Sequence, residues 1–381
     1  MEKGSVLPYS QIQIPVYLRL VMRVFVGLSG GVDSSVTAAL LKAQGHQVTG
    51  VFMKNWTKNI GGVVCPWRQD MLDAKRVAVQ LGIPFIVFDF QREYKQKVVD
   101  YMISDYKAGR TPNPDVMCNQ EIKFKLFLDT ARENGADKIA TGHYARVSLE
   151  QSTTNSQQPK RERFVLKTGV DKNKDQSYFL YRMTEKALAR TLLPIGELSK
   201  PKVREIAKKN QLITAQKPDS QGICFVGEVG IDDFIKEFVQ VKPGRIIDVV
   251  TGKVIGQHGG AVLYTIGQRH GLNIGGGLPY YVTATDVRKN LVYATKQLDN
   301  EHLWQAQIQL SDTHWINEPP KAKAGYSCRV RYRSKLLSCQ VRAIRSGRAT
   351  VILNRAERAI TPGQSVVIYD NDEVLGGGII S

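Results

Sequence analysis

From residue 21 onward the chain alternates between two hydrophobic textures. VMRVFVGL (21–28) is a continuous apolar run ending in Ser-Gly-Gly. A run without polar alternation predicts a strand buried on both faces. SSVTAALLKAQG predicts a helix stopped at Gly45, because glycine takes a left-handed cap at little cost. HQVTGVFM predicts a second strand, residues 68–80 a second helix closed by Gly82, and IPFIVFDF a third strand. EYKQKVVDYMISDYKAG and CNQEIKFKLFLDTARENG predict two more helices on either side of a proline-containing loop, and ADKIATGHYA a further strand. Apolar strands alternating with helices of about 10–15 residues predict right-handed βαβ units, hence a doubly wound parallel sheet of the α/β class.

The pattern then changes. QSTTNSQQPKRER (151–163) is polar and low in complexity and predicts an exposed loop. RFVLKTGV returns to an extended pattern, and DQSYFLYRM and KPKVREIAKKN read as helical, the second with Ser199 as N-cap. From about residue 240, short β-rich runs are separated by Gly, Pro and Asn. Their regular spacing predicts a small antiparallel barrel. The expected organisation is therefore an N-terminal extension (1–21), an α/β domain (22–214), a small central β-rich domain (215–277) and a C-terminal antiparallel β-barrel (278–381). Residues 1–21 have no clear period.

Composition narrows the class. The 381 residues are 42% hydrophobic and 23% charged, enough apolar material for buried cores. No stretch approaches the roughly 18 consecutive apolar residues of a membrane helix, and no apolar secretory segment opens the chain. The five cysteines, Cys65, Cys118, Cys224, Cys328 and Cys339, are too sparse for a secreted disulfide framework. They form no C-x-x-C pair, so no metal site is expected. The cytoplasm is the default compartment. With 53 Lys and Arg against 35 Asp and Glu, the formal charge of +18 favours a polyanionic partner, nucleic acid first.

Chemistry concentrates at two places. Gly27-Leu28-Ser29-Gly30-Gly31-Val32-Asp33-Ser34-Ser35 lies between a strand and a helix. Its glycines let successive N–H groups face one concavity at a helix N-terminus, which makes an anion site. It lacks the Lys of the Walker loop and the GxGxxG spacing of dinucleotide folds. The string resembles the PP-motif of ATP pyrophosphatases, which implies ATP cleavage between the α and β phosphates. The second place is GRTPNPDVM-Cys118, where the predicted helix start favours a thiolate at Cys118. Cys224 lies in KPDSQGICFVG, outside any strong periodicity.

GLSGGVDSSV, GRTPNPDVMCNQEIKF, TGHYAR, KDQSYFLY and PDSQGICFVG follow in this order, and the likeness continues through VTGKVIGQHGGAVLYTIGQRHGL and RVRYRS to TPGQSVVIYD. Together they resemble the tRNA-specific 2-thiouridylases over nearly all of residues 22–381. The resemblance implies a PP-loop, Rossmann-like catalytic domain that adenylates the C2 oxygen of a tRNA wobble uridine with ATP and Mg2+. Sulfur then comes from a persulfide supplied by a cysteine desulfurase or sulfur-relay protein. Cys224 matches the persulfide carrier and Cys118 its partner in a transient disulfide. Asn113, Pro114 and Asp115 match the segment meeting the target base, with Asp115 an acid/base candidate. Gly27, Leu28, Ser29, Gly30, Gly31, Val32, Asp33, Ser34, Met53 and Gly142 match ATP contacts. His143, Lys174, Asp175, Gln176, Arg331, Tyr332 and Gln364 match tRNA contacts.

Two departures from the family pattern stand out. Residues 1–21 precede the usual start near Met22, and the 151–163 loop is longer and more polar than the pattern needs. Between Lys321 and Arg358 there are 11 Lys and Arg against one acid, Glu357. Arg329, Arg331 and Arg333 alternate along one predicted strand, which puts all three on one face as a phosphate-contacting stripe. Tyr332 falls on the opposite face. Two other classes compete on sequence grounds: a PP-loop amide ligase, which gives Cys118 and Cys224 no use, and a non-catalytic RNA-binding protein, which leaves the ATP loop idle.

Overall fold

The computed structural model describes residues 21–151, 162–219, 230–275, 277–322 and 324–381. Cys224, residues 1–20 and most of the polar 151–163 loop lie outside the described residues.

Five parallel strands form the first sheet, in the order Phe85–Asp89, Gln47–Lys54, Arg23–Gly27, Lys138–Ala140, Thr191–Leu192. Both faces are covered. Helices Val32–Ala43 and Trp67–Leu81 pack Ala38, Leu41, Ala74 and Ala78 against Val24, Val26 and Phe52. On the other face, helical residues 91–107 and 114–133 pack Tyr94, Val98, Met102, Ile122 and Phe127 against Phe25, Val51 and Ile139. The strand order reverses between Arg23–Gly27 and Lys138–Ala140. That switch point, at the carboxyl ends of the strands, is where doubly wound sheets open a crevice for ligands.

A four-stranded sheet comes next, in the order Tyr281–Asp286, Leu291–Thr295, Gly244–Asp248, Val254–His258. Residues 281–295 were expected in the barrel, but they pair here. Val282, Val292 and Ala294 bury themselves with Ile246, Ala261 and Leu272 in a separate small core.

Six antiparallel strands then close into a barrel: Trp304–Trp315, Arg348–Arg358, Leu337–Arg345, Tyr326–Arg329, Ser365–Asp370 and Glu373–Ile380, the last pairing back onto the first. Cys328 and Cys339 lie in its core. A hairpin from the α/β domain, Ala145–Gln151 with Glu162–Thr168, extends the same sheet through Glu373↔Lys167 and Val374↔Leu166. Arg163 clamps Glu373 with two hydrogen bonds of 2.8 Å. One apolar core therefore crosses from Cys118, Ile122, Phe127, Tyr178 and Tyr181 of the α/β domain to Ile316, Val367 and Tyr369 of the barrel. Among the described residues, no helix is long and apolar enough to cross a membrane.

Candidate active site

The loop after Arg23–Gly27 is held from within. Ser29 N–H donates to Ser34 Oγ at 3.2 Å, and the Ser34 and Ser35 hydroxyls donate to the Gly31 carbonyl at 3.1 and 2.8 Å. Gly30 sits at φ +76°, and a Cβ there would lie 2.4 Å from the Asp70 carbonyl oxygen, so only glycine fits. Helix Val32–Ala43 starts at Gly31 with no side-chain cap, which leaves first-turn N–H groups for an anion. Gly142, at the end of the neighbouring strand, packs directly on that helix start: a Cβ would lie 2.7 Å from the Ser34 nitrogen. The same construction at Gly27 meets Met53 Cε at 3.0 Å and Phe127 at 3.6 Å. Residues 27–34, Met53 and Gly142 thus form one cluster at the switch point. Leu28 and Val32 are buried, so they offer backbone groups only.

Beside the loop lies an ionic network that the sequence did not signal. Lys200 Nζ, itself buried, donates to both Asp33 carboxylate oxygens at 2.7 and 2.9 Å and pairs with Asp219 at 2.8 Å. The Tyr144 hydroxyl donates to Asp33 at 2.8 Å. Lys174 and Arg204 complete the surround of Asp219 at 2.6 and 2.7 Å. Burial opposes the Asp219 charge, but its hydrogen bonds from Lys174 and Lys200 outweigh it and hold the carboxyl at about 2. Lys200 stands in a lysine-rich helix, KPKVREIAKK, where nothing in the pattern marks one lysine as buried.

The second cluster is the 111–118 segment. The Asn113 side chain caps a helix by accepting from Val116 N–H at 3.3 Å, with Pro114 in the first turn. The helix continues through Cys118–Leu126 with i→i+5 bonding and ends as Phe127–Glu133, a local widening that is rare and frequent at functional sites. It starts at Pro114 rather than at Cys118, as the sequence predicted. Proline fixes φ and needs no N–H partner, so it opens the helix one turn earlier. Cys118 is buried, and its N–H bonds to the Pro114 and Asp115 carbonyls instead of standing free. Half-buried Asp115 has its carboxyl pushed above the usual range by burial, with the Lys123 charge a partial offset. Among the described residues no cysteine is in a disulfide. Cys65 is half-buried, and burial pushes its thiol up.

The residues matched to tRNA contacts fall into two groups. His143 is buried, bonded to Thr141 at 2.7 Å and packed on Phe124, and burial drives its imidazole well below the ordinary range. Asp175 is buried and accepts from Gly169 N–H and Ser177 N–H at 3.0 and 3.1 Å. Gln176 accepts from Tyr144 N–H at 3.0 Å, and Lys174 is held by Asp219. Tyr332 stacks on Phe179 with ring centroids 4.3 Å apart. Gln364 donates to the Thr111 and Pro112 carbonyls at 2.9 and 3.2 Å. Arg331 alone of this set is exposed, with Glu357 at 3.6 Å. The predicted arginine stripe does not form. The strand ends at Arg329, which turns inward to Asp175 at 4.0 Å. Arg331 and Arg333 lie on the following turn, where Arg333 takes φ +60°. Ser177–Leu180, predicted as part of a helix, is a single 3-10 turn.

A tRNA-specific 2-thiouridylase of Geobacillus thermodenitrificans is 45% identical over 360 residues, spanning 94% of each chain. That of Bacillus subtilis is likewise 45% identical over 361 residues and 94% of each chain. The chain belongs to the tRNA-specific 2-thiouridylase family. A more distant 2-thiouridylase, from Chromohalobacter salexigens, is 44% identical over 94% of this chain and 92% of its own. Three family models match in series: the tRNA methyl transferase HUP domain over 22–228, the tRNA methyl transferase PRC-barrel domain over 232–296, and the aminomethyltransferase beta-barrel domain over 305–380. The second of these covers both halves of the four-stranded sheet, including the 281–295 strands.

Proposed function

We propose that this chain replaces O2 of a tRNA wobble uridine with sulfur, as an ATP-dependent tRNA-uridine sulfurtransferase. The observation that carries the proposal is family membership over 94% of the chain, joined to a glycine- and serine-built loop at the switch point of the sheet and an Asn113–Cys118 helix start whose Val116 and Cys118 pack in the core beneath that sheet. Phe127, nine residues after Cys118 in the same helical run, lies close to Gly27, where an added Cβ would be 3.6 Å from its ring. ATP binds with its phosphates at residues 27–34. The uridine C2 oxygen attacks the α-phosphorus and pyrophosphate leaves. The terminal sulfur of a persulfide on Cys224 then attacks C2, and AMP departs. Cys118 frees the sulfur by attacking Cys224, which leaves a Cys118–Cys224 disulfide; alternatively Cys118 attacks the Cys224 sulfur first, forming the same disulfide and releasing sulfide, which then attacks C2.

Asp115 is the acid/base candidate, because a carboxyl raised by burial exchanges protons closer to neutrality. Mg2+ would enter with the nucleotide, since it binds phosphates together with one or two carboxylates, and no group of three metal-ligating side chains occurs among the described residues. The persulfide comes from a cysteine desulfurase or relay protein. For the domains we propose 22–214 as the catalytic unit; the central one, expected over 215–277, extends through Thr295, because strands 281–286 and 291–295 complete its sheet. The barrel therefore begins after Thr295 rather than at 278.

The test is a pair of variants, Cys118→Ala and Cys224→Ala, supplied with ATP, tRNA and a persulfide donor. Nucleoside mass analysis should find no 2-thiouridine with either, while ATP and tRNA binding persist. Retained 2-thiouridine formation by Cys224→Ala would falsify the relay.

A further inference from the structure

We propose that Asp219 is a positioning residue: it staples the chain, five residues before Cys224, to the support of the phosphate loop, and so tethers the sulfur carrier where the uridine is adenylated. The inference rests on the proposed thiolation reaction.

Residues 212–219 are held in two different ways. Leu212 and Ala215 are buried with Val203 and Ala207 of helix Lys200–Lys209 and with Val32 and Val36 of the helix that follows the phosphate loop. From Gln216 to Asp219 no residue is buried, so apolar packing fixes nothing there. Pro218 has no N–H to give to a backbone ladder. Ionic and polar contacts hold this stretch instead, and they converge on Asp219. Its carboxylate takes Lys174 at 2.6 Å, Arg204 at 2.7 Å and Lys200 at 2.8 Å. Lys200 and Arg204 lie four apart on one helix and so share a face. The same Lys200 ammonium is bonded to both oxygens of Asp33 in the phosphate loop. Asp219 is thereby one cation away from that loop. The Arg204 fork extends the grip backward, donating to the Ala215 carbonyl at 2.8 Å and the Lys217 carbonyl at 3.1 Å. Lys217 donates at 2.8 Å to each of Asp70 and Asp73, and Asp70 is the residue whose backbone Gly30 approaches.

Chain length turns this staple into a tether. An extended chain spans at most about 3.6 Å per residue, so the Cys224 Cα stays within about 18 Å of the Asp219 Cα. Without Asp219 the last fixed point falls back to Lys217, and the tether grows from five residues to seven. Length alone costs little: effective concentration falls as about the −3/2 power of tether length, hence by less than about twofold. Lost direction costs more, because a misplacement of about 1 Å can cost up to about a hundredfold in rate.

Asp219→Ala removes the staple and leaves Lys200 on Asp33. Arg204→Met removes the other half of it and touches neither Lys200 nor Lys174. The measurement is a single turnover with saturating ATP, tRNA and persulfide donor, in which pyrophosphate release and 2-thiouridine appearance are followed separately. With Asp219→Ala the appearance of 2-thiouridine should slow about 10-fold or more, while pyrophosphate release stays within about twofold of the unaltered protein. Arg204→Met should show the same split. Equal slowing of both steps would make Asp219 a support of the phosphate loop and overturn the proposal. Slowing of sulfur transfer by about twofold or less would overturn it as well, because tether length alone accounts for that. Thermal unfolding shows whether Asp219→Ala folds; if it does not, Arg204→Met carries the same test with the same outcomes. An unaltered protein that releases pyrophosphate but makes no 2-thiouridine would instead overturn the thiolation reading, and the proposal with it.

Discussion

The phosphate loop and the 111–118 segment belong to one α/β domain but are built by opposite means. The loop is made by its own residues: serines 29, 34 and 35 bond within residues 29–35, and Gly30 supplies the one left-handed turn. The 111–118 segment has an internal cap, Asn113, and takes further fixed points from residues 265 and 362–364. On the proposed function, a group that binds the same phosphates in every cycle can be specified locally, whereas a group that meets a base carried by a large polyanion is set against other parts of the chain.

Three changes would break or sharpen this contrast. The largest effect is expected from Gly30→Ala. The positive φ alone costs about 1–3 kcal/mol, and the approach to Asp70 forces the loop to move. Pyrophosphate release should fall by about 100-fold, while tRNA binding stays. Release at the normal rate would mean that the loop is not locally set.

Lys200→Met is next, and it tests how self-sufficient the loop is. It strips a buried cation from the partly exposed carboxylates Asp33 and Asp219, and losing such a charged hydrogen-bond partner costs about 1–3 kcal/mol. Denaturant unfolding measures it, and a loss below about 1 kcal/mol would exclude Lys200 as a support. The network also has a pH signature. The Asp219 carboxyl is depressed from 3.8 to about 2 in the folded protein. Its contribution is therefore present above the unfolded value and lost as pH falls from about 4 through about 2. Asp219→Asn should flatten that part of the acid unfolding profile.

The smallest effect separates barrel charges that serve the fold from those free for nucleic acid. Arg331→Ala and Arg333→Ala should each reduce the log–log salt slope of tRNA binding by about 0.7–0.9. Arg329→Ala should leave the slope unchanged and lower stability, because Arg329 is turned onto buried Asp175. Equal slopes for all three would restore the single stripe expected from the sequence.

What the sequence made legible follows the same division. The strand and helix order of residues 23–140 came from uninterrupted apolar runs broken at glycines, and the loop at 27–35 from a local motif, because both signals are short-range. The closed barrel was visible as a class of pattern. Its partners were not: nothing in RFVLKTGV tells that it pairs with Glu373–Ile380. The arginine alternation misled because period 2 holds only while a strand lasts, and this strand stops at Arg329. Nor does the sequence reveal that Asp175, Gln176 and Gln364, matched to tRNA contacts, also hydrogen-bond within the chain.

The Thr111–Gln364 contact spans 253 positions. During synthesis at about 5–20 residues per second, the catalytic loop leaves the ribosome roughly 13–50 s before the residue that fixes it. Over that interval the α/β sheet and its phosphate loop can already be formed, while the segment meant for the base has no reference. On the proposed function, the nascent protein would thus acquire its nucleotide site early and its sulfur-transfer geometry only when nearly all of the chain has been made.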